Sequence, residues 1–337
     1  MKRIVFVSVS ALFWLSLLSM PQTAQSFEIK PFYTQNQSPL SHIFGLPPMG
    51  EAQVLAPDRK EVRLSLDLAS NYVKNTAANE SLLLDGETTR FSLAFRYGVM
   101  PNLEAGFEIP YLIQGGGFLD GFIIDYHSAF GFPQGGRDQA PRNRLLYQYR
   151  RNNTDILKWD RSGAGLGDIR LNAAWQLYNS GEQAPRSLAL RGSIKAPTGD
   201  SDSLFGSGSY DGALWLAACD HYLTAWGPVA IFGAAGMMGM TEGEVIQNQQ
   251  NNWTGFGSFG IGWSPLDWFV LKIQTDAHTP FFRNSDLKEL SGNAAQMVFG
   301  GTVVLGKNFI LDIGVSEDIL VNTAPDVVFH FSLKSTF

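Results

Sequence analysis

The sequence predicts an all-β protein: a closed antiparallel transmembrane β-barrel of about twelve strands, with a short helix in one long loop. Three observations predict this fold. Apolar and polar residues alternate with a period of two over most of the chain. Only 17% of the 337 residues are charged, whereas ordinary soluble domains have roughly 25%. The chain also ends on an amphipathic stretch whose last residue is Phe337.

Composition excludes several other classes of protein. Hydrophobic residues make up 45% of the chain, which is too much for a disordered protein. The one cysteine cannot form an intrachain disulfide or a cysteine-based zinc site. A formal net charge of −6 argues against a nucleic-acid partner, because nucleic-acid-binding surfaces are basic. We therefore expect no metal, no cofactor and no nucleic acid.

The first 26 residues have the pattern of a secretory signal peptide. Lys2 and Arg3 precede an uncharged, mostly apolar run over residues 4–20. Ala24-Gln25-Ser26 then supplies small residues at the two positions that signal peptidase requires. We expect cleavage near Ser26, which predicts an exported protein that begins at Phe27.

A second uncharged run covers residues 222–241 and is long enough to cross a bilayer as a helix. Its glycines at Gly233, Gly236 and Gly239 have the spacing of a helix-packing face. However, the run contains Pro228 and few leucine or isoleucine residues. We favour a pair of glycine-rich strands over a spanning helix.

The alternation is clearest over residues 61–72 and 89–97, where nearly every second residue is apolar. Successive side chains of a strand leave opposite faces of the sheet, so this period is typical of β-strands. A tight turn at Pro101-Asn102 leads into a further alternating stretch, which predicts an antiparallel pair. The apolar face would cover a dry core in a soluble sandwich, whereas it would face lipid in a membrane barrel.

Three features favour the membrane barrel. Charged residues occupy the polar face of nearly every predicted strand, which leaves little material for a dry core. Aromatic residues such as Trp253, Trp263 and Trp268 gather near strand ends, where the aromatic girdles of membrane barrels lie. The terminal Phe337 resembles the C-terminal signal that the outer-membrane assembly machinery recognises.

A membrane barrel implies a polar lumen whose charged side chains set its selectivity. The candidate lumen-lining residues are Glu104, Glu108, Asp168, Arg170, Lys195, Asp276 and Asp312.

The segment 27–58 does not fit the strand pattern. It contains adjacent prolines at Pro47 and Pro48 and has no clean alternation, so a long helix is excluded. The segment is either a flexible periplasmic tail or a plug folded into the lumen, and residues 59–337 form the barrel.

The longest interruption of the pattern covers residues 115–162. Apolar residues from Leu119 to Phe130 follow helical spacing, which predicts a short amphipathic helix. A basic cluster follows the helix. The loop is either a lid or ligand-gathering element, whose arginines contact lipopolysaccharide phosphates, or a helix packed over the barrel mouth with solvated arginines. The candidate binding residues are Asp120, Asp125, His127 and Arg137.

The sequence offers little for catalysis. His127 and Ser128 are adjacent in the predicted helix, so their side chains diverge. No G-x-S-x-G motif occurs, and the five histidines are scattered along the chain. We therefore expect that the protein is not an enzyme and has no catalytic residues.

Two sets of motifs resemble those of known families. Asn-Gln-Ser-Pro-Leu at residues 36–40, Ile-Phe-Gly-Leu-Pro at 43–47 and Leu-Asp-Gly-Phe at 119–122 resemble a family of Gram-negative outer-membrane β-barrel proteins of unknown function. This resemblance covers most of the mature chain. Residues 165–169 and 195–200 are more loosely similar to outer-membrane proteins of the phenol-degradation meta pathway. Both resemblances imply a closed barrel, the second implies uptake of small hydrophobic compounds, and neither supplies catalytic residues.

The leading functional hypothesis is a porin-like pore or transporter for a small molecule in the cell outer membrane, with a hydrophobic compound as one option. The first alternative is a non-transporting structural barrel that binds lipids or a partner. A weaker alternative is an outer-membrane lipid-modifying enzyme. The expected partners are outer-membrane lipids, the assembly machinery and a small-molecule ligand.

Overall fold

The computed structural model describes residues 28–131, 134–181, 186–306, 308–320 and 323–337. The described residues form two short helices, α1 (Asp120–Phe130) and α2 (Lys288–Ser291), and 3-10 turns at Arg137–Gln139 and Gln247–Gln249. They also form fifteen strands: β1 (Lys60–Thr76), β2 (Glu80–Met100), β3 (Leu103–Gly115), β4 (Leu146–Arg151), β5 (Thr154–Trp159), β6 (Gly163–Leu166), β7 (Arg170–Asn179), β8 (Arg186–Lys195), β9 (Asp211–Thr224), β10 (Gly227–Met240), β11 (Trp253–Leu266), β12 (Phe269–His278), β13 (Ala294–Val304), β14 (Phe309–Asp318) and β15 (Val327–Thr336). The predicted signal peptide lies outside the described residues.

Twelve of these strands close into an antiparallel barrel. β1 pairs with β2 on one side and with β15 on the other. The ring order is β1-β2-β3-β7-β8-β9-β10-β11-β12-β13-β14-β15. Closure satisfies the backbone groups that an open sheet edge would expose. The predicted fold class and strand number are confirmed.

The barrel has two different ends. Short turns join β2 to β3, β9 to β10 and β11 to β12 at one end, which we call the turn end. The first residue of β1 and the C-terminal Phe337 lie at this end too, because their backbones are hydrogen-bonded to each other. Longer connections follow β3, β8, β10 and β12 at the opposite end, which we call the loop end.

Side chains alternate between an apolar outer surface and a polar interior. Along β1, Leu64 is 52% exposed on the outside, whereas the neighbouring Arg63 is buried inside. Exposed tryptophans lie on the outside at both ends, with Trp226 and Trp268 at the turn end and Trp253 at the loop end. An apolar belt between two aromatic girdles is the surface expected of a barrel in a bilayer.

The run 222–241 forms the end of β9 and the whole of β10. The spanning-helix alternative is therefore wrong, and the glycine-rich strand pair is correct. None of the described helices has both the length and the apolar content needed to cross a membrane. Glycine is required within β10 because a Cβ on Gly236 would lie 2.3 Å from the Cβ of Trp215 on the paired strand.

The region 115–162 contains a β-hairpin that we did not predict. β4 and β5 pair with each other and extend the loop end of β2, where Glu80–Asp85 pair with β4. Two arginines of the predicted basic cluster, Arg150 and Arg151, lie in β4 instead of in a loop. A local signal was present: Asn152 and Asn153 both have positive φ, the conformation of a two-residue hairpin turn.

The predicted helix in this region is α1, and it packs against the outer wall of the barrel. Leu119 and Ile123 are buried against Val327 of β15. The ring of Phe122 lies 6.0 Å from that of Phe329, an outward-facing residue of the same strand. The interpretation of a helix packed over the barrel mouth is therefore wrong.

We predict that Phe337→Ala reduces assembly of the barrel into the outer membrane. The aromatic side chain is 55% exposed, so its loss removes little packing, and the backbone bonds to Lys60 need no side chain. The measurement is the fraction of heat-modifiable folded protein in outer-membrane preparations. Leu333→Ala, an outward-facing change in the same strand, is the control. Wild-type assembly of Phe337→Ala would contradict an assembly role for this residue.

Candidate functional site

The interior of the barrel is occupied by residues 28–55, which we call the inner segment. From the turn end it first ascends beside β12. Phe32 N donates to Gln274 Oε1 at 2.9 Å, and Thr34 Oγ1 donates to an Asp276 carboxylate oxygen at 2.7 Å. The contacting residues are two positions apart in the inner segment and also in β12, because inward side chains of a strand recur at every second position.

The inner segment turns back at the loop end. The ring of Phe44 stacks on Phe281 of the β12–β13 loop, with centroids 4.6 Å apart. Gly45 N donates to the carboxylate of Asp211, the first residue of β9, at 2.6 Å. A side chain at position 45 would not fit well, since its Cβ would lie 3.0 Å from the Cβ atoms of Asp211 and Lys195.

The inner segment then descends towards the turn end. Trp215 Nε1 donates to the carbonyl oxygen of Met49 at 2.8 Å. Val54 N donates to Gln176 Oε1 at 2.8 Å. Many of the segment's backbone groups are thus satisfied by side chains of the wall instead of by a strand ladder. This explains why its sequence lacks alternation.

Glu51 is the electrostatic centre of the inner segment. Its carboxylate lies 2.6 Å from Lys30 Nζ, 3.1 Å from the Arg63 guanidinium and 3.0 Å from Lys334 Nζ. A fourth cation, Arg96, lies 3.3 Å away. Burial alone would raise the pKa of the Glu51 carboxyl, but these four cations hold it well below its ordinary value. The group is therefore an ionised carboxylate enclosed by positive charge.

Three predicted lumen residues lie in charge clusters at or beside this centre. Glu104 contacts Arg96 at 2.7 Å and Arg191 at 2.6 Å. Glu108 lies 3.5 Å from Arg170, another predicted residue. All are buried on the inner face of the barrel. Their charges therefore meet one another instead of facing an open channel.

The other predicted lumen residues also have partners. Lys195, at the loop end, lies 2.7 Å from the carboxylate of Asp168 and 3.0 Å from that of Asp211. Asp312 lies 2.7 Å from Lys272 Nζ, and Asp276 contacts the inner segment as described above. The wall is thus lined by charge. Lys195, Asp168 and Asp312 each have a partner of opposite charge, whereas Asp276 accepts hydrogen bonds from the neutral side chains of Thr34 and Gln274.

The predicted binding residues of the 115–162 loop lie away from the lumen. Asp120 and Arg137 form an ion pair on the outer wall, where Arg137 also pairs with Asp326. Both members of the Asp120–Arg137 pair are buried. Asp125 is exposed and His127 is half-buried on α1. A ligand-binding role for these four residues stays a prediction, and the structure brings Asp120 and Arg137 together.

Glu51 and its partners Arg63, Arg96 and Lys334 are not among the site residues predicted from the sequence. The wall cations do occupy polar-face positions of alternating strands. Arg63 and Lys334 are also direct neighbours in the β1–β15 register. The position of Glu51 depends on the path of an irregular segment, which alternation does not describe.

Little free space is left inside the described barrel. Cavities of about 20 Å³ and about 30 Å³ lie between the inner segment and the wall. The first is lined by Thr34 and Asp276, and the second by Tyr33 and Glu104. Each has room for a few water molecules at most, so this conformation is closed. No cluster of three or more potential metal ligands occurs among the described residues.

The closed antiparallel ring, its apolar exterior and its charged interior define a β-barrel of the outer-membrane type. The chain belongs to the family described as protein of unknown function DUF3187, which it matches over residues 7–337. No curated protein matches the sequence significantly.

Three solved structures are similar to this chain to different degrees. The COG4313 outer membrane channel from Pseudomonas putida F1 has 11% identity and a TM-score of 0.54, covering 86% of this chain and 98% of that one. CdiB from Acinetobacter baumannii has 10% identity and a TM-score of 0.39, covering 82% and 60%. The translocator domain of the autotransporter NalP from Neisseria meningitidis has 10% identity and a TM-score of 0.39, covering 84% and 89%. The likeness to the first concerns the fold alone.

We predict that Glu51→Gln loosens the inner segment and makes Cys219 more accessible, because this half-buried thiol packs against the apolar cluster that contains Ile29. Removing one partner of a buried ion pair costs about 3–5 kcal/mol, and about 1.4 kcal/mol corresponds to a tenfold change in population. The rate of Cys219 modification by a bulky maleimide in the folded protein should rise at least about tenfold.

The matched control is Glu28→Gln, which removes a partly exposed carboxylate 3.3 Å from Lys30. Its labelling rate should stay near that of the wild type. Equal rates for Glu51→Gln and Glu28→Gln would show that Glu51 does not hold the segment in place.

Proposed function

We propose that this protein is a gated outer-membrane channel for a small molecule and that the inner segment is its plug. One observation carries the proposal: the lumen is closed by a segment that is not part of the wall. The ring of twelve strands is complete from Lys60 to Thr336 without it. Withdrawal of the plug would therefore open a passage and leave the barrel intact.

The nature of the plug contacts supports a reversible closure. Hydrogen bonds and ion pairs to wall side chains hold the plug, and water can replace them when the lumen fills. Apolar side chains of the plug also pack against the wall, in clusters that include Ile29, Phe44 and Val54. The apolar contact of Phe44 with Phe281 and Phe282 lies at the loop end. Release therefore requires a change in the loops as well as in the charge network. A signal that reaches the loops from outside the cell is a natural trigger.

The location and orientation belong to the same proposal. The apolar belt requires a bilayer, and the predicted signal peptide would deliver the chain to the outer membrane. The turn end, with the first and last barrel residues, would face the periplasm. The similar barrel from Pseudomonas putida F1 is described as an outer membrane channel, which agrees with passage of a solute.

The closed interior also favours a second candidate, a barrel that does not transport. If the plug never leaves, the charges inside the barrel only stabilise the folded protein. The functional surface would then be the outer wall with α1. The two candidates differ in one property: only a channel conducts ions once the plug is absent.

We predict that removing residues 29–55 converts a nearly silent protein into a conducting one. Twelve strands enclose an interior wide enough for hydrated ions once the plug is gone. The measurement is single-channel conductance of the purified, heat-modifiable protein in planar bilayers. The full chain should be silent most of the time, and Glu51→Gln should open more often than Glu28→Gln.

The Glu51→Gln variant is needed because the deletion removes contacts between the inner segment and most strands, and this loss can prevent folding. If the deleted chain does not fold, the opening frequency of Glu51→Gln decides the question. A folded deletion variant without conductance would overturn the channel and favour the non-transporting barrel.

A further inference from the structure

Glu51 occupies a site made by cations of the wall. We propose that this site binds a small carboxylate solute, for which Glu51 is the internal substitute, and that the opened lumen prefers anions. The proposal rests on the proposed channel function and names the class of its cargo. We call the wall cations Arg63, Arg96, Arg191 and Lys334 the cation site.

The cation site surrounds the Glu51 residue from several strands. Arg63, Arg96 and Lys334 lie within 3.3 Å of its carboxylate. Arg191 donates to the backbone oxygen of the same residue at 2.6 Å. These side chains come from β1, β2, β8 and β15. A site assembled from four strands belongs to the wall and would persist after the plug has left.

The wall does not neutralise these cations by itself. Its carboxylates in contact with them are Glu61, which lies 3.0 Å from Arg96 and 3.3 Å from Arg63, and Glu104. Four cations therefore face two wall carboxylates. Burying charge without a counter-charge is costly, so a vacated cation site would take up an anion in place of Glu51.

A neighbouring cluster has the same imbalance. Glu108 lies 3.1 Å from Arg90 and 3.5 Å from Arg170. Among the described residues the balance reverses at the loop end, where Lys195 lies between two carboxylates. In the middle of the lumen, the carboxylate of Asp67 lies 2.6 Å from His330 Nδ1. The cation-rich part thus spans the turn half and middle of the lumen. Rings of charged side chains of one sign select ions of the opposite sign.

The inner segment also places an aromatic ring at the cation site. The Arg63 guanidinium lies 4.6 Å from the ring centroid of Tyr33, a cation–π distance. One guanidinium therefore meets a carboxylate and a ring face, both of which leave with the plug. A small aromatic carboxylate offers both features in one molecule.

The test is ion selectivity of the variant lacking residues 29–55, measured as the reversal potential in a potassium chloride gradient. We expect chloride to permeate several-fold better than potassium. Added benzoate should reduce the chloride current at millimolar concentration, whereas benzamide, which has the same ring without the charge, should not.

Two further variants locate the effect. Lys334→Gln in the deletion background should weaken both the chloride preference and the benzoate block. The control replaces Lys272 and its partner Asp312 together, by Gln and Asn, which changes no net charge and lies outside the cation site. It should behave like the parent. If the deletion does not fold, the same measurements use the openings of full-length Glu51→Gln.

The outcomes separate the two proposals. A folded deletion variant without conductance overturns the channel function. A conducting variant that prefers potassium, shows no preference or responds equally to benzoate and benzamide leaves the channel intact and overturns the carboxylate site.

Discussion

The pairing of buried charge inside the barrel is the interaction on which the rest of the structure depends. Ionised groups on the inner face are removed from bulk water, and each requires a partner of opposite charge. The wall has fewer carboxylates than cations at the cation site, and Glu51 of the inner segment supplies a further carboxylate. The closed state therefore exists because the wall and the segment complete each other electrostatically.

Different interactions stabilise the barrel wall and hold the inner segment inside it. Backbone hydrogen bonds between neighbouring strands hold the wall, and among the described residues they do not involve the inner segment. Side chains hold the inner segment, chiefly through Glu51, Asp211 and Gln274. A change that releases the segment therefore leaves the wall unchanged, which is what a gate requires.

The alternation of the sequence predicted the wall because a barrel strand has a rigid period of two. Glu104, Glu108 and Lys195 could be assigned to the inner face from that period alone. The path of residues 28–55 could not be predicted, because its backbone bonds go to side chains of distant strands. The contact of Glu51 with Lys334 joins residues 283 positions apart.

Two other features differ from the sequence prediction: the β4–β5 hairpin, which has a local cause, and the position of α1, which depends on tertiary contacts. The β4–β5 hairpin has a short-range signal in the sequence. Asn152-Asn153 is a residue pair that favours a two-residue hairpin turn. The position of α1 on the outer wall depends on Ile123 meeting Val327. This contact joins residues far apart in the chain, and helical spacing gives no indication of it.

The most direct measurement records single-channel currents before and after a disulfide links the inner segment to the wall. Cysteines replace Thr34 and Asp276, whose side-chain oxygens lie 2.7 Å apart, in a chain that also carries Glu51→Gln and Cys219→Ser. If the segment is the gate, oxidation of the cysteine pair abolishes the channel openings, and a reductant restores them in the same bilayer. Equal currents from the oxidised and the reduced protein would contradict gating by this segment.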